Sequence, residues 1–198
     1  MKNIFLCGVF LLASCAAGPT DQEIAAHALA SMKASFRESG QAKLDRLEQD
    51  ETQRLCSAPV NKEASSRIEK INTASLRYPA DGKLMGDWRE GEKIAQSGIG
   101  KQFSDDPKRP AGGNCYACHQ LSKQEISFGT IGPSLLGYGK LRGTSEAIQR
   151  YTYGKIYNSQ AFTACSNMPR FGHNGILAEQ QLKHLVALLL DPASPVNQ

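Results

Sequence analysis

The run Cys115-Tyr116-Ala117-Cys118-His119 constrains this chain more than any other five residues in it. Two thiols separated by two residues and followed at once by an imidazole are compatible with three chemistries. They can hold zinc, run a dithiol redox cycle, or attach a haem. Each asks for different surroundings. Zinc needs two further ligands at compatible spacing, and the other pair on offer, Cys56 and Cys165, is not clustered. A redox dithiol sits at the start of a helix that follows a strand, and the flanks "PKRPAGGN" and "QLSKQ" carry no strand alternation. Haem attachment needs only a helical turn, on which both thiols meet the vinyl groups and the imidazole faces the iron from the same side. The motif therefore favours one covalently bound haem c, with a chance match as the plain alternative.

The beginning of the chain points out of the cytoplasm. "MKNIFLCGVFLLASC" has one lysine, a short apolar run and then small residues, the pattern of an export signal. The apolar run is too short to anchor by spanning a bilayer. Leu12-Ala13-Ser14-Cys15 fits a lipobox, which makes residues 1–14 a signal peptide and Cys15 the lipidation candidate. Cleavage after Ala17, releasing a soluble protein, is the rival. Both routes lead to a periplasmic protein, membrane-anchored through Cys15 on the first. The remaining cysteines then sit in an oxidising compartment.

Residues 15–80 read as a helical N-terminal extension and 81–198 as the domain that carries the motif. In the extension, Asp21 is placed to cap a first helix with Ile24, Ala28, Leu29, Met32 and Phe36 on one stripe, stopped by Gly40. Met32 is expected in a core. A second helix is expected from about Gln41 to Cys56, and a third with Ala64, Ile68, Ile71 and Leu76 ahead of Pro79. "PADGKLMGD" forms the boundary. Asp87 with Glu90 three residues on is a capping-box pattern opening a helix to about Gln96. Residues 145–158 look helical, and Leu182, Leu185, Val186 and Leu189 mark a last helix stopped by Asp191-Pro192. The expected fold is all-α, a class I cytochrome c domain preceded by the extension. Gly91 is expected to let the last helix cross closely.

Downstream of the motif, "SNMPRFGHNG" supplies candidates for the sixth ligand of the iron. Met168 is favoured, because methionine–histidine ligation recurs in c-type proteins and raises the potential. His173, five residues away, is the competitor, and His184 reads as an ordinary helical histidine. "GTIGPSLLGYG" offers the Pro133 carbonyl to the Nδ1–H of His119, with Leu135 and Leu136 as walls. Cys7 leaves with the signal, so Cys56 and Cys165 remain as an even pair. A disulfide between them is the preferred reading, with two separate thiols or a reactive Cys165 as alternatives.

"GDWREGEKIA", "GGNCYACHQL", "IGPSLLGYG" and "NMPRFGHNGILAEQQLKHLVALLLD", in this order over about residues 82–191, resemble the SoxX family. These are the monohaem cytochrome c subunits of the SoxAX complex. The resemblance implies a heterodimer with a SoxA-like cytochrome subunit in periplasmic thiosulfate oxidation. That complex is an L-cysteine S-thiosulfotransferase, conjugating thiosulfate to a cysteine of the SoxYZ carrier. It implies Cys115 and Cys118 as haem attachment points, His119 as proximal and Met168 as distal iron ligand. It further implies an electron-accepting subunit that is not itself catalytic, passing electrons to an acceptor such as a small cytochrome c. Family members are pictured as soluble, from which the lipobox departs. Ala178 also stands where a capping serine or threonine is expected.

Charge excludes one class. The formal net charge is +4, with nine basic and nine acidic side chains in 15–80 and thirteen against ten in 81–198. That excess is too weak and dispersed for a nucleic-acid partner. The alternatives to the SoxX-like reading are a free-standing monohaem electron carrier and an outer-envelope lipoprotein without haem.

Overall fold

The computed structural model describes residues 18–198. The signal-like run, Cys7 and the lipidation candidate Cys15 lie outside the described residues. Among the described residues the protein is all-α, without a strand, and carries one isolated antiparallel bridge between Ser39 and Ala42. The chain divides into a unit ending at Arg37 and a unit spanning Glu38–Gln198.

The first unit contributes helix α1, Asp21–Ser35. Its cap is Thr20, one residue earlier than the sequence suggests. The Thr20 hydroxyl accepts from the Glu23 N–H at 3.3 Å, and the Glu23 carboxylate accepts from the Thr20 N–H at 2.7 Å. No α1 side chain is buried. Met32, expected in a core, is 40% exposed, as are Ile24, Leu29 and Phe36 to similar degrees. The alanines between those residues thin the stripe, so its pattern overstated its packing.

In the second unit, the expected helix from 41 to 56 is two pieces. A 3-10 turn covers Leu44–Leu47, and α2 covers Glu51–Cys56. Asp50 causes the break. Its carboxylate accepts from the Gln53 N–H at 2.8 Å while the Gln53 side chain accepts from the Asp50 N–H at 2.8 Å. A residue so engaged begins a helix rather than continuing one. Asn61 caps α3, Lys62–Ala74, through the Ala64 N–H at 2.8 Å. Ile68 and Asn72 form the buried side of α3.

Helix α4, Trp88–Gln96, meets the last helix α7, Glu179–Leu190, at Gly91. A Cβ on Gly91 would lie 2.2 Å from the His184 carbonyl oxygen, so the close crossing requires glycine there. Between them come α5, Tyr138–Arg142, and α6, Glu146–Tyr157. The short α5 has no counterpart in the sequence pattern. Leu182 and every residue from Leu185 to Leu190 are buried, a wider face than the stripe predicts. The reason is that α7 is enclosed: α4, α5 and α6 all pack on it, and the C-terminal turn Pro195–Asn197 folds back against it.

Buried Asn197 holds that last turn. Its Oδ1 accepts from the Gly139 and Lys140 N–H groups at 2.8 and 3.2 Å, at the start of α5. Its Nδ2 donates to the Leu189 and Asp191 carbonyls at 3.1 and 2.9 Å. One side chain thus satisfies the free donors of one helix start and the free acceptors of one helix end.

Candidate functional site

Cys115–Ala117 form a 3-10 turn entered through Asn114, which adopts the left-handed conformation at φ 44°. Backbone bonds fix this turn from both sides. Upstream, Gly113 N–H donates to the Ile94 carbonyl at 2.8 Å and Asn114 N–H to the Ser97 carbonyl at 2.9 Å, tying the motif to the end of α4. The preceding Gly112 admits this approach, because a Cβ there would sit 2.0 Å from the Ser97 oxygen.

Downstream, the stretch 129–135 runs back along the motif. Gly129, Gly132 and Leu135 donate to the carbonyls of Tyr116, Cys118 and Gln120, each at 2.8 Å. This strap delivers the Pro133 carbonyl to His119, 2.7 Å from Nδ1. A carbonyl only accepts, so Nδ1 must carry the proton, and the neutral ring keeps its free lone pair on Nε2. The backbone of Gly132 lies against the ring, where a Cβ would come within 2.2 Å of Cε1. His119 is therefore fixed in both tautomer and orientation.

Cys115 and Cys118 are free thiols rather than a disulfide. Desolvation pushes the Cys115 thiol up to about 12. A redox-active dithiol requires the opposite, a thiolate stabilised near neutral pH. Among the described residues no group of three or more His, Cys, Asp and Glu is arranged to hold a metal ion. The residues present are of the kind that would fit a haem: two free thiols on one turn, then an imidazole whose Nε2 lone pair is set by a backbone acceptor on Nδ1.

Met168 lies in the loop between the 3-10 turn Ser159–Ala161 and α7. It packs, half-buried, against the same core cluster as Cys115 and Leu135. Its carbonyl accepts from the Ser159 hydroxyl at 2.6 Å, and its N–H donates to the Ser166 hydroxyl at 3.2 Å. Three residues earlier, Cys165 is joined to Cys56 by a disulfide with a Cα–Cα distance of 5.5 Å. Two residues later, the buried side chain of Arg170 donates to Asp50 at 2.6 Å.

The two other histidines of the second unit have separate surroundings. Desolvation, and then the neighbouring Arg170 guanidinium, hold His173 below the usual imidazole range, with Asp50 offsetting part of this. His184 accepts at Nδ1 from the Asp87 N–H at 2.8 Å. That bond takes the donor which the expected Asp87–Glu90 capping box would have used. Glu90 instead pairs with Lys93 at 2.7 Å, and Asp87 caps α4 through the Arg89 N–H at 2.8 Å. At α7, the Gln181 side chain accepts from the Ala178 N–H at 3.0 Å, the one half of a capping box that an alanine N-cap allows. Its Nε2 donates to the Ala111 carbonyl at 2.7 Å, joining the start of α7 to the loop before the motif.

Sequence reasoning passed over Asp50, Arg170, Ser159 and Gly132. The signal for Gly132 was its place beside Pro133, but nothing local to Asp50 and Arg170 marks them as partners across 120 residues.

No known family model matches the chain. Over 157 residues it is 39% identical to a protein of Aquifex aeolicus (strain VF5) named "Uncharacterized lipoprotein". The match covers 76% of this chain and 73% of that protein. At that identity and coverage, the chain belongs to the same family as the Aquifex lipoprotein.

Proposed function

We propose that this protein is an exported monohaem c-type cytochrome of class I fold, and that it accepts electrons as a subunit of a SoxAX-like complex. The observation that carries the haem reading is the bond between His119 Nδ1 and the Pro133 carbonyl, made beside two free thiols on the same turn. Cys115 and Cys118 would hold the haem covalently, and His119 Nε2 and the Met168 sulfur would hold its iron. Haem iron supplies one-electron exchange when bound. The chain's own residues orient and shield. The 129–135 strap sets the imidazole, Leu135 and Leu136 exclude water, and the loop at Met168 presents a thioether that favours the reduced state.

The subunit reading rests on the resemblance of four ordered segments and on exposed apolar side chains. Ile126 and Ile131, on the segment just after the motif, are 97% and 76% exposed. Apolar groups of this size so exposed on one short stretch are what a partner surface would cover. The name of the Aquifex relative supports lipidation at Cys15, which would hold the mature protein at a membrane facing the periplasm. No helix among the described residues is long and apolar enough to cross a membrane.

Purification of the tagged protein from its native membranes tests the subunit reading. A second c-type cytochrome should copurify, and thiosulfate with a SoxYZ-like carrier should reduce this chain's haem only when that partner is present. A haem protein that elutes alone and ignores thiosulfate would favour a free-standing electron carrier instead.

A further inference from the structure

We propose that helix α2 is a clamp on the Met168 loop, with Asp50, Arg170, Cys56 and Cys165 as positioning residues for the methionine sulfur. This deepens, and rests on, the haem reading above. Helix α2 is six residues long, and both its ends reach the same loop. At its start, the N-cap Asp50 takes the Arg170 guanidinium at 2.6 Å. At its end, Cys56 is bonded to Cys165. The two anchors fall on either side of Met168, three residues before it and two after.

The loop needs such anchors. Its backbone from Ser166 to Arg170 lies outside regular helix, and Cys165 is held at φ 54°, a left-handed conformation that disfavours a side chain. Arg170 is 6% exposed while its Asp50 partner is 41% exposed, so the guanidinium comes to the helix cap rather than to solvent. A buried guanidinium is a poor means of general stabilisation. It is a good means of fixing one position, because the bond is short and directional.

The clamp is itself grounded in the core. Thr52, buried on α2, accepts from Asn72 Nδ2 at 3.0 Å. The Asn72 oxygen accepts from Asn158 Nδ2 at 2.8 Å, at the end of α6. Next to it, Ser159 holds the Met168 carbonyl. Buried hydrogen bonds therefore run from α2 through α3 to Asn158, and the adjoining Ser159 returns to the methionine through a part-buried one. A thioether is a neutral, weak ligand. How often it leaves the iron depends on what the loop must break to move.

The test is competition for the iron in the ferric protein, titrated with imidazole and followed by the weak near-infrared sulfur-to-iron band. Asp50→Asn keeps an N-cap side chain but removes the charge that Arg170 meets. Cys56→Ser with Cys165→Ser removes the other anchor. Each should bind imidazole about tenfold more tightly than wild type, and the combined variant more tightly still. Arg170→Lys, which keeps the charge, should lie closer to wild type than Arg170→Gln. In a Met168→Ala background, where that band is absent and binding is read from the Soret shift instead, the same changes should have no effect on imidazole affinity.

A purely structural role would lower the unfolding temperature and leave imidazole affinity unchanged. That result, in folded variants with full haem content, overturns the clamp. Should the double serine variant not fold, native protein can be reduced, alkylated and reoxidised before the same titration. Unchanged affinity there also overturns it. Wild-type protein without covalent haem, or without the band, would instead overturn the haem or Met168 reading itself.

Discussion

At the scale of single residues, His119 is defined by its neighbours more than by the motif that names it. The Pro133 carbonyl fixes its proton, and Gly132 gives its ring a flat wall. Gly132→Ala puts a methyl group within 2.2 Å of the ring, so either the strap or the imidazole must move. Overpacking of this kind costs about 1–3 kcal/mol. We expect reduced haem content, or a raised reduction potential with an altered spectrum, since a weakened bond to the Pro133 carbonyl leaves the imidazole a poorer donor; both are measured on purified protein. An unaltered spectrum and potential would show that the ring is held by something else. The His119–Pro133 pairing was legible in the sequence because Gly-Pro lies on a short, turn-marked stretch. The Asp87–Glu90 box was misread for the converse reason. The group that displaces Glu90 is His184, 97 residues away, and local pattern carries no trace of it.

At the scale of elements, the crossing of α4 and α7 depends on Gly91, and the loop at Met168 depends on α2. Gly91→Val would drive a branched side chain into the His184 carbonyl and Leu188. The expected loss is about 1–3 kcal/mol in urea denaturation, with haem attachment retained. The Cys56–Cys165 bond closes a loop with a sequence separation of 109, for which chain entropy gives about 4–5 kcal/mol.

Asp50 gives the same element a pH dependence. Its burial raises the carboxyl, but the Gln53 N–H and then the Arg170 guanidinium outweigh this and hold it below its ordinary 3.8. Because the folded value is depressed, the contribution is present above about pH 4 and is lost as pH falls through the lowered folded value. Asp50→Asn should therefore be less stable than wild type at pH 7, with the gap closing as the pH falls below the ordinary carboxylate value. Equal gaps at neutral and acid pH would show that the charge on Asp50 is irrelevant. The sequence showed Cys56 and Cys165 as the spare pair, since few cysteines remained. It ran α2 back to Gln41, however, because the leucine pattern of 44–55 looks continuous and only Asp50's side-chain bonds break it.

At the scale of the whole molecule, the all-α architecture could be read from helical periodicity, and the enclosure of α7 could not. Leu188 and Leu190 lie off the expected stripe. They are buried because α5 and the C-terminal turn, held by Asn197, cover the far side. Elements of five and three residues leave too little periodicity to be seen in advance. The apolar stripe of α1 shows the opposite error, a helix pattern without the burial that such patterns usually signal. Cys15→Ser should move the protein from the membrane fraction to the soluble periplasm. Retention at the membrane in that variant would assign anchoring to a partner.

Covalent haem at Cys115 and Cys118 underlies every role proposed for His119 and Met168, and the intact mass of the purified protein under denaturing conditions tests it most directly. The chain should carry the added mass of one haem, retained through acid denaturation and absent when both cysteines are replaced by serine. A wild-type chain at its bare polypeptide mass, after expression with a working haem-attachment system, would contradict it.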